Sequence, residues 1–435
     1  MSTTILNLSH VNDGQVDATE VLQHKIDECK PYETIVIPKG EYLVGSLFLK
    51  SNMTLRFESG TKLIGVTDIK KYPEIETRVA GVEMLWPAAI INGINVENVK
   101  IEGPGIIDGQ GPYWWNLYWG EDQQGGQRKI YDEKNLRWIV DYEVKRPREI
   151  LIYNSKKVMI QDVTLKQSGF WNLQITYSKN IHVNNVTVRD SNGPSTDGID
   201  IDSSSHVLVE NCKLSCGDDC IVIKSGRDGD GWRVNRPSEF IEIKNCQINS
   251  GYGVVIGSEI SAGVRHVYIH DITFKDSGCG FRMKSSLTRG GIVEDIRVER
   301  LSMTNVQFPF SWLMNWHPQY NSKASVKSLS NDDTIPNMWL AVAEQMPIEE
   351  QRSKIKNVSV KDVTAVVTDE YQLRSRAFDL QAFSEKPMEN IRFENIRIDA
   401  TEFGNIVAVN DLELNNVKVN VMQANSEAND HYDNR

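Results

Sequence analysis

The sequence predicts an all-β protein folded as a right-handed parallel β-helix, and three observations carry that prediction. Segments with apolar residues at alternate positions recur from Val158 to beyond Leu412, and period-2 alternation rich in β-branched residues is the mark of a strand. All but one of the segments have an Asp or Asn where one run of alternation gives way to the next, IRVERLSM having Arg300 there. Most units repeat at 20–35 residues with room for a second short strand but not for a crossover helix, so neighbouring units bury their inward residues by stacking. A β-sandwich is the rival, but it does not explain strand sequences that repeat in phase.

From the N-terminus, residues 15–30 (VDATEVLQHKIDECKP) break the pattern. Val21, Leu22, Ile26 and Cys29 share one helical face, and Asp17 followed by Glu20 reads as a capping box. A stack of coils has an apolar end to cover, so 15–30 is expected to be a capping helix. IVIPKGEYLVG and SLFLKSNMTLRFESGTKLIG then open the coils. Residues 110–148, with Trp114, Trp115, Trp119 and Trp138, and residues 306–353, with Trp312, Trp316 and Trp339, read as loop insertions. The repeat proper runs VMIQDVTL from Val158, IHVNNVTV from Ile181, VLVENCKL from Val207, IEIKNCQI from Ile241 and VYIHDITF from Val267. It continues as IRVERLSM from Ile296, VSVKDVTA from Val358, IRFENIRI from Ile391 and LELNNVKV from Leu412. Successive offsets are 23, 26, 34, 26, 29, 62, 33 and 21 residues, and the 62 implies an insertion or an unrecognised coil. Residues 421–435 form a polar tail, and 1–435 is expected to be one domain.

Hydrophobic residues make up 40% and charged residues 25% of the chain, which excludes disorder as the main state. No run approaches the ~18 apolar residues of a membrane-spanning helix. The net charge of −11, from 48 basic and 59 acidic residues, argues against nucleic acid or a membrane as partner. An acidic substrate needs only a local cationic patch. The stretch MSTTILNLSHVNDGQ has no basic segment followed by an apolar run, so the expected location is the cytoplasm. There the six cysteines are expected to be free thiols, and Cys212, Cys216 and Cys220 lack the CxxC pairs of a zinc site. No metal or cofactor is expected, and the oligomeric state is not legible.

Four successive second strands align on a shared Ser: DGIDIDS (197–203), DCIVIKS (219–225), YGVVIGS (252–258) and CGFRMKS (279–285). The inward columns are then Ile199/Ile221/Val254/Phe281 and Ile201/Ile223/Ile256/Met283, apolar throughout. Asp197 and Asp219 fall one coil apart, a spacing of ~5 Å, with Asp218 beside them and Arg282 and Lys284 further along the stack. A solvated, Asp-rich turn edge is the plain alternative. Three converging carboxylates repel one another, however, and raise the proton affinity of at least one member. Two carboxylates across a glycosidic bond hydrolyse it, and Arg and Lys beside them suit an anionic sugar.

At these residues the sequence resembles glycoside hydrolase family 28, the polygalacturonases, and looks most like its bacterial exo-acting members. STDGIDIDS (195–203) is similar to the family's N-T-D motif, with Ser195 where Asn is usual. CGDDCIVIKSG (216–226) matches the G/Q-D-D motif, and RMK (282–284) matches R-x-K. The resemblance runs from about residue 10 to 420 and takes in SLFLKSNMTL, IDGQGPYWW and VVIGSEISAGVR. It implies a pectin-lyase-like β-helix that hydrolyses α-linked galacturonic acid from acidic pectic oligosaccharides, with inversion and from a chain end. It implies Asp218 as general acid, Asp197 and Asp219 as the pair that activates water, and Arg282 and Lys284 as binders of the substrate carboxylate. Tyr252, Lys224, Arg227 and Trp232 are further candidates for substrate binding. The family's G-H-G motif reads Gly251-Tyr252-Gly253 here, which leaves a rhamnogalacturonan-type substrate open. His266 and His317 are candidates to replace the absent His. A pectate-lyase-like eliminase and a non-catalytic glycan-binding β-helix are the rival functions. The adjacent Asp pair and the R-x-K spacing favour hydrolysis.

Overall fold

The computed structural model describes residues 2–122, 144–317, 348–371 and 373–423, apart from a few isolated positions. Its strands stack as the right-handed parallel β-helix that the repeat predicts. The nine repeat segments are hydrogen-bonded neighbours in one register. Val158 faces Ile181, Ile181 faces Val207, and the column continues through Ile241, Val267, Ile296, Val358, Ile391 and Leu412. Ile296 pairs directly with Val358, so the 62-residue step is one coil with a long excursion and hides no extra coil. Burial of each such Val or Ile contributes about 1.5–3 kcal/mol, which fixes the register coil by coil.

The Asp or Asn inside eight of the nine repeats, and Arg300 in the other, sit where the chain turns a corner. Asp162, Asn185, Asn211, Asn245 and Asp271 all have φ between 51° and 63°. That left-handed region costs Asn and Asp less than other side chains. The side chains also link coils, as where the Asn185 amide donates to Asp162 Oδ1 at 2.7 Å.

A second sheet of eleven parallel strands forms another wall of the helix. It runs from Leu47–Phe48 through Leu173–Thr176, Ile199–Asp202, Ile221–Lys224, Val254–Ile256 and Cys279–Lys284 to Glu402–Val407. Ile199 faces Ile221, Ile221 faces Val254 and Val254 faces Phe281, the register given by aligning the shared Ser. At the N-terminal end, a helix over Thr19–Glu28 buries Leu22 and Ile26. Its Gln23 amide acts as a substitute strand, donating to the Phe48 carbonyl at 3.0 Å and accepting the Phe48 N–H at 2.8 Å. Asp17 accepts the Thr19 N–H at 3.0 Å, which makes the helix start an Asx turn where the spacing had suggested a capping box.

One antiparallel hairpin, Glu74–Val79 with Val82–Pro87, lies against the outer face of the eleven-stranded sheet. From it the buried Arg78 reaches Asp202 Oδ1 at 3.3 Å and Ser203 Oγ at 2.6 Å. Arg148, also buried, donates to Gln174 Oε1 at 2.5 Å and to the Pro87 carbonyl at 3.0 Å. The hairpin is thereby tied to both the strands and the loops around them.

In the segment 110–148, Gly111–Trp119 is helical. Trp114 is buried and donates to the Gly109 carbonyl at 3.1 Å. Trp312 packs in the core, 5.5 Å from Phe393. Trp138, Trp339 and the tail from residue 424 lie outside the described residues. All six cysteines are free and buried, and no helix among the described residues is long and apolar enough to cross a membrane.

Candidate active site

The eleven-stranded sheet brings the predicted aspartates together. Its strands begin just after them, so the register that aligns Ile199 with Ile221 also aligns what precedes each. The Gly198 N–H donates to the Asp219 carbonyl at 2.9 Å, and carboxylate oxygens of Asp197, Asp218 and Asp219 lie within 4.8 Å of one another. Asp197 and Asp219 are buried and Asp218 is half-buried. The next coil supports Asp218 from below. The Tyr252 N–H donates to the Asp218 carbonyl at 3.1 Å. Gly251, at φ 76°, leaves no room for a side chain, since a Cβ there would stand 2.5 Å from the same oxygen.

Cations answer this charge. Lys284 Nζ is 2.7 Å from Asp219 Oδ2, and Arg282 Nη1 is 3.9 Å from Asp219 Oδ1. Lys224, on the neighbouring strand, places Nζ 3.5 Å from Asp197, 3.4 Å from Asp200 and 3.5 Å from Glu259. It also lies 4.7 Å from the centre of the Trp171 ring. With its ammonium engaged by three carboxylates, Lys224 acts first as an internal counter-ion.

The other predicted residues divide. Tyr252 lies beside the trio, with its ring under Arg282. Arg227 turns toward Asp228, with Nε 3.9 Å from Oδ2, and its charge also bears on Glu259. Trp232 donates its ring N–H to the Arg289 carbonyl at 2.9 Å, which anchors the short helix Asp228–Val234. His266 stacks on Phe240 at the surface, away from the aspartates. His317 lies 4.4 Å from Trp316, which itself covers Lys284 and Arg282.

Asp200, Glu259 and Trp171 surround Lys224 beside the trio, and the motifs did not single them out. Asp200 was visible as the outward member of its strand. Glu259 and Trp171 carried no periodic signal.

Burial, reinforced by Asp200 and Asp218, pushes the Asp197 carboxyl well above the ordinary range, against the pull of Lys224. Burial and the adjacent Asp219 also push Asp218 up, opposed by Lys284, Lys224 and Arg282. Glu259 goes the other way. Its burial is outweighed by Lys224, Arg289, Arg227 and Lys284, which hold it below the usual carboxylate value.

Asp200 is pushed up to about 8, chiefly by burial, with Lys224 opposing. An unfolded Asp releases its proton near ~4, so the folded protein binds the extra proton between these values. Stability therefore falls as pH rises through about 8. Asp200→Asn does not titrate. Its melting temperature should gain on the wild type progressively between pH 5 and pH 9, and thermal melts across that range check this. A constant difference would contradict it.

A family model described as "Glycosyl hydrolases family 28" matches residues 29–333. A "Probable polygalacturonase" of Vitis vinifera is 32% identical over 72% of this chain, a match that spans 62% of that protein. An "Exo-poly-alpha-D-galacturonosidase" of Dickeya chrysanthemi is 24% identical over 95% of this chain and 70% of its own length. Among solved structures, a hyperthermoactive exopolygalacturonase from Thermotoga maritima superposes with a TM-score of 0.73 at 25% identity, covering 95% of this chain and 92% of that one.

Proposed function

From a chain that belongs to glycosyl hydrolase family 28, we propose an enzyme that hydrolyses α-linked galacturonic acid from the ends of pectic oligosaccharides. The observation that carries this reading is the convergence of Asp197, Asp218 and Asp219 within 4.8 Å, beside Arg282 and Lys284. The names of the Dickeya and Thermotoga relatives support a galacturonan substrate and action from a chain end.

Asp218 holds its proton above the ordinary carboxyl range and gives it to the glycosidic oxygen as the C1–O bond breaks. A water between Asp197 and Asp219 adds to C1 and passes its proton to a carboxylate. Burial raises the proton affinity of Asp197, which makes its ionised form a stronger base than a solvated Asp. The products are a shortened oligosaccharide and a free galacturonate. Arg282 and Lys284 hold the sugar carboxylate.

Inversion is part of the proposal. Inverting pairs commonly stand ~6.5–9.5 Å apart and retaining pairs ~5–5.5 Å, so this close trio makes the product anomer a discriminating measurement. Proton NMR of the first turnover should show the β-anomer. The α-anomer would assign one Asp to a covalent intermediate instead.

The activity itself is tested by a digestion time course on trigalacturonate. Stepwise release of galacturonate is expected, and no release would refute the substrate. Tyr252 in place of the family His favours one second reading, a rhamnogalacturonan-type substrate. Cleavage of rhamnogalacturonan oligomers alone would select it.

A further inference from the structure

Arg282, half-buried, differs from the buried arginines around the sheet. Among the described residues its guanidinium makes no hydrogen bond to the protein, and its Nε is buried without a partner. The nearest carboxylate, Asp219, is 3.9 Å away and already engaged by Lys284 at 2.7 Å. What surrounds the guanidinium is aromatic. Its Cζ lies 5.1 Å from the centre of the Tyr252 ring and 5.7 Å from that of Trp316, while Lys284 Nζ is 4.5 Å from Trp316.

Both rings are held by their own backbones. The Tyr252 N–H is bonded to the Asp218 carbonyl, and the Trp316 N–H donates to the Ser285 carbonyl at 2.8 Å. Gly278 makes the space for the first ring, since a Cβ there would come within 2.9 Å of it.

An arginine free to swing presents its donors in no fixed plane. Ring faces attract a guanidinium without consuming its N–H groups, so they orient the fork and leave it open to a planar, bidentate acceptor. We infer that Tyr252 and Trp316 are positioning residues that clamp Arg282 and thereby set the preference for a sugar bearing a free carboxylate. The inference rests on the proposed function for its substrate class. It also gives the Tyr at the centre of Gly251-Tyr252-Gly253 a task that needs a ring and no titrating group.

The test uses the full chain and two probes, trigalacturonate and its methyl ester, which lacks the charge. Tyr252→Ala and Trp316→Ala should each raise KM for trigalacturonate by about tenfold, with kcat changed less than about threefold. Binding of the methyl ester, measured by calorimetry, should stay the same. Tyr252→Phe and Trp316→Phe should restore the low KM, because the face and not the hydroxyl or indole N–H does the positioning. A Tyr252→Phe variant as impaired as Tyr252→Ala would overturn the inference. So would a loss confined to kcat, or equal losses for the charged and neutral probes. Calorimetry with galacturonate separates this from the proposed activity. If the wild type binds galacturonate without cleaving the trimer, the activity fails, and the same variants still decide the clamp from affinity. No binding of galacturonate by the wild type overturns both.

Discussion

Asp218→Asn should lower kcat on trigalacturonate by about 10³–10⁴-fold, at the upper end for loss of a general acid, with KM nearly unchanged. The substitution keeps the shape of the side chain and the bond that Asp218 Oδ1 accepts from the Asp219 N–H at 3.0 Å, so the loss is of a proton and not of structure. An aryl galacturonide whose leaving group departs without protonation should recover much of the rate in Asp218→Asn. The same substrate should rescue neither Asp197→Asn nor Asp219→Asn, because those residues serve the water. Steady-state kinetics on both substrates checks this. Undiminished turnover of trigalacturonate by Asp218→Asn would remove Asp218 from the donor role.

That prediction depends on a register that could be worked out from residues alone. In a parallel stack each coil lies on the next without offset, so aligning Ser203, Ser225, Ser258 and Ser285 was enough to put Asp197 beside Asp219. The Asp and Asn corners were equally legible, because a left-handed turn restricts which residues can occupy it. Other parts left no such trace. EIETRV and VEMLWP alternate much as coil strands do, yet they pair antiparallel and leave the helix to cover it. Alternation reports which residues point inward and is silent on what lies over the outward ones. Asp200, Asp202 and Lys224 alternate with the inward Ile199, Ile201, Ile221 and Ile223 and so fall on the outer face, but their burial beneath Arg78, Trp171 and the hairpin depends on contacts between distant segments. Arg78 and Asp202 are 124 residues apart.

The second large effect concerns that pair. Arg78→Ala should cost about 3–5 kcal/mol, the usual result of leaving one buried charge without its partner. Burial pushes Asp202 up, and Arg78 is the leading influence opposing it. Replacing both residues, as Arg78→Met with Asp202→Leu, should recover most of the loss, since two apolar groups leave no charge stranded. Denaturant unfolding of the wild type and these two variants measures this. A single variant within about 1 kcal/mol of wild type would show that the hairpin is held by other means. The hairpin turn also meets the loop that follows Lys224, where the Arg227 N–H donates to the Gly81 carbonyl at 2.9 Å.

The direct pairing of Ile296 with Val358 has a consequence for how such enzymes diversify. Where a strand's neighbours are set by the rung above and the rung below, the length of an intervening loop carries no information about the scaffold. A lineage can lengthen, trim or exchange that loop and leave the aspartates where they were. Residues that such a loop contributes, Trp316 among them, can therefore change while the coils that carry the aspartates, Tyr252 and Arg282 keep their register.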